Sequence, residues 1–200
     1  MRKKSHIALA GYLVDSMKTE ELSNHRKAFY WGSILPDCVP SFLTRRHSIE
    51  ATFDILKNEI ISLMDHYDST RGIDTYFCRH LGIITHYIAD YFTYPHNSLF
   101  LGNMKEHCIY EKFQMKELKQ YVYSRAAVRQ RKEFDSLNSA QDVISWIESM
   151  HKKYLEAVKA VKIDCQYIVE LCYSVVDAII YFFETIQTNA KAGIIKTVAV

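Results

Sequence analysis

The stretch IDTYFCRHLGIITHYIADYFTYPH, residues 73–96, is as apolar and aromatic as a buried helix, but its second half carries His86, Asp90 and His96. Burying ionisable groups among aromatic side chains costs several kcal/mol unless they are paired or bind a cation. The stretch therefore predicts a core helix whose ionisable groups are compensated, and a metal ion is the first candidate for that role.

The rest of the chain has the same helical pattern. Apolar residues recur every three or four positions, which predicts helices near 6–18, 20–34, 47–66, 73–94, 103–132, 139–161 and 164–189. The predicted breaks fall at GSILPDCVPS, Gly72, Pro95 and Gly102. We therefore predict an all-α, single-domain multi-helix bundle over residues 1–200.

Composition excludes several classes of protein. The net charge of +2 gives no reason to expect a duplex nucleic acid partner. Five cysteines, an odd number with no CxxC pair, argue against a disulfide framework or a thiolate zinc finger and favour a reducing compartment. The basic, apolar start lacks a signal-peptide cleavage site, and no apolar run approaches the roughly 20 residues of a transmembrane segment. We expect a cytoplasmic protein, and its oligomeric state stays open.

Two helices each carry a histidine and a carboxylate four residues apart. His86 and Asp90 form one such pair, and His107 and Glu111 in HCIYE form the other. Residues at i and i+4 share a helix face, so the two members of each pair project side by side. Gly82, one turn before His86, is expected to leave that face uncrowded. Two such pairs are more specific than one, since a single exposed pair of this kind is common.

Further histidines and one aspartate lie upstream and between the helices. His6 opens the first helix, Asp37 follows a proline in GSILPDC, and His47 stands near a helix start in TRRHSIE. His96 lies just beyond the helix that Pro95 ends. Nitrogen and oxygen ligands of this kind suit zinc. The full set of candidate metal ligands is His6, Asp37, His47, His86, Asp90, His96, His107 and Glu111.

The order of these motifs resembles the zinc-dependent phospholipase C family, whose fold is shared with zinc-dependent single-strand nucleases. In that family a histidine, an aspartate four residues on and a histidine ten residues on form the central motif, and His86, Asp90 and His96 match that spacing. The matching motifs run from His6 to Glu111, and residues 112–200 are expected to supply supporting helices. The resemblance implies an all-helical protein that holds up to three zinc ions for phosphodiester hydrolysis.

The resemblance also implies how the ligands divide among the ions. Asp37, His47, His86 and Asp90 correspond to one zinc site. A second site corresponds to His96, His107 and Glu111, and a third to His6 with a bridging Asp90. Secreted members complete the third site with the amino group and carbonyl of their processed first residue, a tryptophan, whereas this chain begins five residues before His6.

The function implied is that of a zinc-dependent phosphodiesterase, with metal-activated water attacking a phospholipid or another small phosphodiester. Asp37 is the candidate for removing the proton of that water, and a simple ligand role is the alternative. An apolar rim at Phe42, Leu43 and residues 98–102 favours a lipid substrate. A single-strand nuclease, a catalytically inactive zinc-stabilised helical protein and a lipid-binding module remain alternatives.

Four other histidines are predicted to have structural or solvent-exposed positions: His25, His66, His80 and His151. His80 lies six residues before His86, about 120° around a helix with 3.6 residues per turn, so it should point away from the metals. His151 is followed by two lysines in HKK and is predicted to be solvated.

Overall fold

The structure, a computed structural model, describes residues 1–38, 46–124 and 137–191, without the side chains of residues 190 and 191. Within these residues the chain forms eight α-helices and three short 3-10 turns. The helices are α1 (Lys3–Met17), α2 (Glu20–Asn24), α3 (Arg26–Ile34), α4 (Ile49–Met64), α5 (Thr75–Tyr91), α6 (Met104–Val122), α7 (Ala140–Glu156) and α8 (Val161–Lys191); the 3-10 turns are Leu35–Asp37, Ser69–Arg71 and Tyr94–His96. The all-α prediction is confirmed.

Helix α5 is the centre of the fold. The side chain of Asp74 caps its first turn, and every residue from Leu81 to Tyr91 is buried. The helix packs against α3, α4 and α8. Because it is covered on every side, the ionisable groups on its second half lie inside the protein. The 3-10 turn Tyr94–His96, which contains Pro95, then keeps His96 close to the end of the helix.

Helices α3 and α5 approach each other closely at two glycines. A Cβ atom on Gly82 would lie 2.3 Å from the carbonyl oxygen of Phe29, and one on Gly32 would lie 2.0 Å from that of Arg79. Gly82 therefore serves a different purpose from the one that the pattern predicts. Its missing side chain admits the backbone of α3 and does not simply leave space beside the ligands.

Most helix boundaries agree with the predicted pattern, with three exceptions. The helix predicted over 139–161 ends early, since α7 ends at Glu156 and Val161 already begins α8. The prediction of one helix over 20–34 was wrong, because the chain leaves helical geometry at His25 with φ −103° and ψ 21°. Asn24 directly precedes that break, and asparagine favours helix ends because its side chain competes for backbone hydrogen bonds. Helix α6 begins in a capping box formed by Asn103 and Glu106 and ends at Val122. Residues 125–132 of its predicted extension lie outside the described residues.

Other sequence features also fall outside the part of the chain that the structure describes. Phe42 and Leu43, assigned to the apolar rim, belong to the undescribed segment 39–45.

Within the described ranges, none of the helices combines the length and apolar character needed to cross a bilayer.

Candidate metal centre

The structure brings all eight candidate ligands into one connected cluster. They come from five parts of the chain: the start of α1, the turn after α3, the loop before α4, the second half of α5 with the turn that follows it, and α6. Asp90 is fully buried at the middle of this cluster. The ligand residues, widely spaced in sequence, thus surround one carboxylate.

The two oxygens of Asp90 face different sets of ligands. Oδ2 lies 2.9 Å from Nδ1 of His47 and 3.2 Å from Nε2 of His86. Oδ1 lies 3.4 Å from Nε2 of His6 and 3.8 Å from Nδ1 of His96. A carboxylate with one oxygen toward each of two nitrogen sets has the disposition of a bridging ligand.

Backbone carbonyls orient two of the histidine rings. Nδ1 of His86 donates to the carbonyl of Ser33 at 2.9 Å, and Nδ1 of His96 donates to the carbonyl of His47 at 3.1 Å. A carbonyl can only accept, so Nδ1 carries a proton in both rings, and in the neutral form of either ring Nε2 carries the lone pair. Each Nε2 also faces the cluster, which is the arrangement that a metal-binding histidine needs.

His6 gives the clearest test of whether the cluster suits a cation. Its ring is 1% exposed and stacks on His86 with the ring centroids 4.1 Å apart. Neither ring nitrogen makes a well-formed hydrogen bond among the described residues, and the nearest acceptor to Nε2 is Oδ1 of Asp90 at 3.4 Å. Burial, followed by the electrostatic interaction with His86, lowers the pKa of His6 to about 3, which keeps the ring neutral. An unpaired buried nitrogen costs about 1–3 kcal/mol, and a bound cation would remove that cost.

His96, His107 and Glu111 form a separate group at the edge of the cluster. Oε1 of Glu111 lies 3.2 Å from Nε2 of His96 and 3.1 Å from Nε2 of His107. Burial alone would raise the pKa of Glu111, but hydrogen bonds from His107 and His96 hold it well below its usual range. Burial is also the largest cause of the lowered pKa of His96. The group therefore presents an ionised carboxylate and at least one neutral imidazole.

The amino group of Met1 lies inside the cluster, a feature that the sequence interpretation missed. It forms an ion pair with Asp90 and lies 3.0 Å from Nε2 of His96 and 3.2 Å from Oε1 of Glu111. Burial would lower the pKa of this amine, but Asp90 and Glu111 raise it. The amine is thus a positive charge held among the candidate ligands. The resemblance offered one indication of this position, because secreted members of the family complete their third site with the amino group of the first residue. That residue is a tryptophan in those proteins, whereas Met1 stands here.

Asp37 lies at the exposed side of the cluster. Its Oδ1 is 3.8 Å from Nδ1 of His47 and 4.0 Å from Nε2 of His86. Its side chain is 20% exposed, against 14% for Glu111 and 0% for Asp90. Of the three carboxylates, Asp37 has the most contact with solvent.

The geometry fits zinc, although it divides the ligands somewhat differently from the sequence interpretation. Three triplets have potential ligand atoms within 4.8 Å of one another: His6, Asp37 and His86; His47, His86 and Asp90; and His96, His107 and Glu111. The third triplet equals the predicted second site. The first two triplets share His86. Asp37 was assigned to the first predicted site, but it also lies near His6, which was assigned to the third. Imidazole nitrogens with carboxylate oxygens are ordinary zinc ligands.

Two of the remaining histidines have well-defined partners outside the cluster. His80 pairs with Glu59. The prediction that His151 is solvated was wrong, because its side chain is 4% exposed and its Nε2 lies 2.8 Å from Oδ1 of Asn97. The two lysines that follow His151 are a poor guide to its burial, because His151 lies on the inner face of α7 while Lys152 and Lys153 point to solvent.

The comparison with known families agrees with this arrangement. The family model described as "Zinc dependent phospholipase C" matches residues 5–161. No curated protein and no solved structure matches the chain. The match covers more than half of the chain and includes all eight candidate ligands. The chain belongs to the zinc-dependent phospholipase C family.

Proposed function

We propose that the protein is a zinc-dependent phosphodiester hydrolase of the phospholipase C type. The observation that carries this proposal is the position of Asp90, whose two oxygens face two different histidine sets inside a buried cluster. The unpaired nitrogens of His6 and the buried amine of Met1 support it, because both indicate a pocket suited to positive charge.

Each proposed ligand has a role that its surroundings support. His47, His86 and Asp90, with Asp37 beside them, would hold one ion. His96, His107 and Glu111 would hold a second, and His6 with Oδ1 of Asp90 would contribute to a third. Bound zinc would supply a Lewis acid that makes water a nucleophile near neutral pH and offsets the charge of a phosphodiester. The carbonyls of Ser33 and His47 keep two of the rings in the orientation that binding requires.

Asp37 is the proposed proton acceptor. Its carboxylate borders the histidines but makes no hydrogen bond to either of the two nearest rings, which lie 3.8 and 4.0 Å away. Because it is also the most exposed of the three carboxylates, it can pass a proton to solvent more easily than Asp90 can. General-base catalysis by one positioned side chain contributes typically 10²- to 10⁴-fold, so its removal should cost about that much.

Asp37→Asn is the test of this function. We expect wild-type protein purified without chelators to contain zinc and to hydrolyse a chromogenic phosphodiester. The variant should lose about 10²- to 10⁴-fold in turnover while its helical circular dichroism stays unchanged. Elemental analysis and a turnover assay make the measurement. Zinc without turnover in the wild type would indicate the zinc-stabilised, inactive alternative, and absence of zinc would exclude the proposal altogether.

An apolar segment beside the second set of ligands favours a phospholipid substrate. The side chains of Leu101 and Met104 are 95% and 72% exposed, and that of Leu99 is 46% exposed. Phe100, between them, has its ring 6.1 Å from that of His107. Exposed apolar side chains next to a polar site suit contact with a lipid surface. We propose that residues 99–104 contact the lipid whose headgroup enters the cluster.

Replacing two of these side chains should weaken contact with lipid. We expect Leu101→Gln with Met104→Gln to bind phosphatidylcholine vesicles at least about 10- to 100-fold more weakly, since burying even one such side chain contributes about 1.5–3 kcal/mol. Co-sedimentation with vesicles is the measurement. Val158→Gln is the control, because Val158 is also 76% exposed but lies between α7 and α8. Equal loss in the control, or no loss in the double variant, would contradict a specific lipid-binding segment.

A further inference from the structure

A buried carboxylate on α8 lies outside the metal cluster and outside the residues that the family model matches. Asp164 is 0% exposed and accepts four hydrogen bonds. Oδ2 accepts from the backbone N–H of Tyr94 at 2.9 Å, from the hydroxyl of Tyr110 at 2.9 Å and from the amide of Gln114 at 3.3 Å. Oδ1 accepts from the hydroxyl of Tyr154 at 2.8 Å.

This carboxylate is costly to bury. Burial raises the pKa of Asp164 to about 6 in spite of the opposing hydrogen bonds from Tyr94, Tyr154 and Tyr110. An apolar side chain of similar size would avoid that cost. Because such a carboxylate adds little net stability, its contribution lies in the positions of the groups that it binds.

The groups bound to Oδ2 belong to the two segments that carry the second set of ligands. Tyr94 starts the 3-10 turn that ends at His96, and Tyr110 directly precedes Glu111 on α6. Gln114, one turn further along α6, also donates to the Thr93 hydroxyl at 3.0 Å, which joins the same two segments again. One carboxylate oxygen therefore holds the turn and the helix in register.

We propose that Asp164 is a positioning residue for the zinc site formed by His96, His107 and Glu111. Ligands from two separate segments must meet within a few tenths of an ångström for a metal to bind well, and Asp164 fixes the distance between those segments. The inference rests on the proposed function, since it requires that this group binds zinc. Loss of a partner that orients metal ligands typically lowers metal affinity by about 10- to 100-fold.

Two tyrosines make a matched test, because each donates one hydroxyl to the same carboxylate. Tyr110→Phe removes the hydroxyl hydrogen bond between Asp164 and α6, the helix that carries Glu111, whereas Tyr154→Phe removes the bond between Asp164 and α7, which carries none of the proposed ligands. We expect Tyr110→Phe to weaken the second zinc site by about 10- to 100-fold and Tyr154→Phe to leave it unchanged, although both variants lose thermal stability. Competition with a chromophoric chelator measures each zinc-release step, and the double variant His107→Ala with Glu111→Ala identifies the step that belongs to this site.

Substitutions at Asp164 itself give a second comparison. Asp164→Asn keeps an oxygen that can accept from Tyr94 and Tyr110, so the second site should keep most of its affinity. Asp164→Leu has no acceptor, and the second site should be lost first. If Asp164→Leu does not fold, the tyrosine pair alone decides.

The outcomes separate this inference from the function on which it rests. Equal effects of the two tyrosine variants, or equal weakening of every zinc-release step, would overturn the positioning role while leaving the zinc enzyme in place. Wild-type protein that releases no zinc at all would overturn both. Selective weakening in Tyr110→Phe, with the other release steps unchanged, is the result that the geometry requires.

Discussion

Asp90→Ala should remove more zinc from the protein than any other single substitution among the candidate ligands. Its Oδ2 faces His47 and His86, while its Oδ1 faces His6, so one substitution removes an oxygen from both sets. Turnover should fall by at least about 10²- to 10³-fold, the loss seen when one preorganised electrostatic group of an active site is removed. Elemental analysis of zinc per chain and a phosphodiester assay measure the two effects.

His6→Ala is the comparison for Asp90→Ala. His6 lies on the first turns of α1 near the chain end, and it faces only one oxygen of Asp90. We expect this variant to lose about one ion and most activity while its helical fold remains. Breaking a buried ion pair costs about 3–5 kcal/mol of folding stability, so Asp90→Ala can unfold the protein. Asp90→Asn keeps the side-chain volume and serves as the second variant in that case. Equal zinc loss from Asp90→Ala and His6→Ala would contradict the bridging role.

Gly82→Ala should strongly destabilise the packing of α3 against α5. Its Cβ would lie 2.3 Å from the Phe29 carbonyl oxygen and 2.8 Å from the Ser33 nitrogen, where ordinary contact begins near 3.4 Å. Both neighbours are backbone atoms, so no rotamer change relieves the clash and α3 must move away from α5. Overpacking of this kind costs about 1–3 kcal/mol or more, which exceeds the ~1 kcal/mol that alanine gains over glycine in a helix. The shift would also pull the Ser33 carbonyl from His86.

Gly11→Ala is the matched control, since Gly11 is also inside a helix. Its Cβ would meet the Tyr30 hydroxyl at 3.1 Å, and a phenol at the end of a side chain can shift by a few tenths of an ångström. We expect Gly11→Ala to be neutral or up to about 1 kcal/mol more stable, whereas Gly82→Ala unfolds at a clearly lower temperature. Thermal unfolding followed by circular dichroism measures both. Similar melting temperatures would contradict the close helix contact.

Much of the candidate site was predictable because helical spacing is a local property. The i,i+4 relation between His86 and Asp90, and between His107 and Glu111, follows from helix geometry alone. Residue type and position in predicted loops and helix starts then added Asp37, His47 and His6, and the family resemblance divided the set among the ions. The structure brings these residues together as predicted, although their roles as zinc ligands remain predictions.

What the sequence determined by itself, with the family resemblance, was the all-α class, the positions of most helices and the set of candidate ligands, because side-chain spacing along a helix is repeated every few residues. The tertiary structure alone decided which atoms meet. In the folded chain the Met1 amine lies beside Asp90, and His151 is buried against Asn97. The backbone of α3 packs directly against Gly82, and Asp164 binds both segments that carry the second set of ligands. Contacts between residues as many as 118 positions apart depend on how whole helices pack, and no local pattern in the chain records that packing.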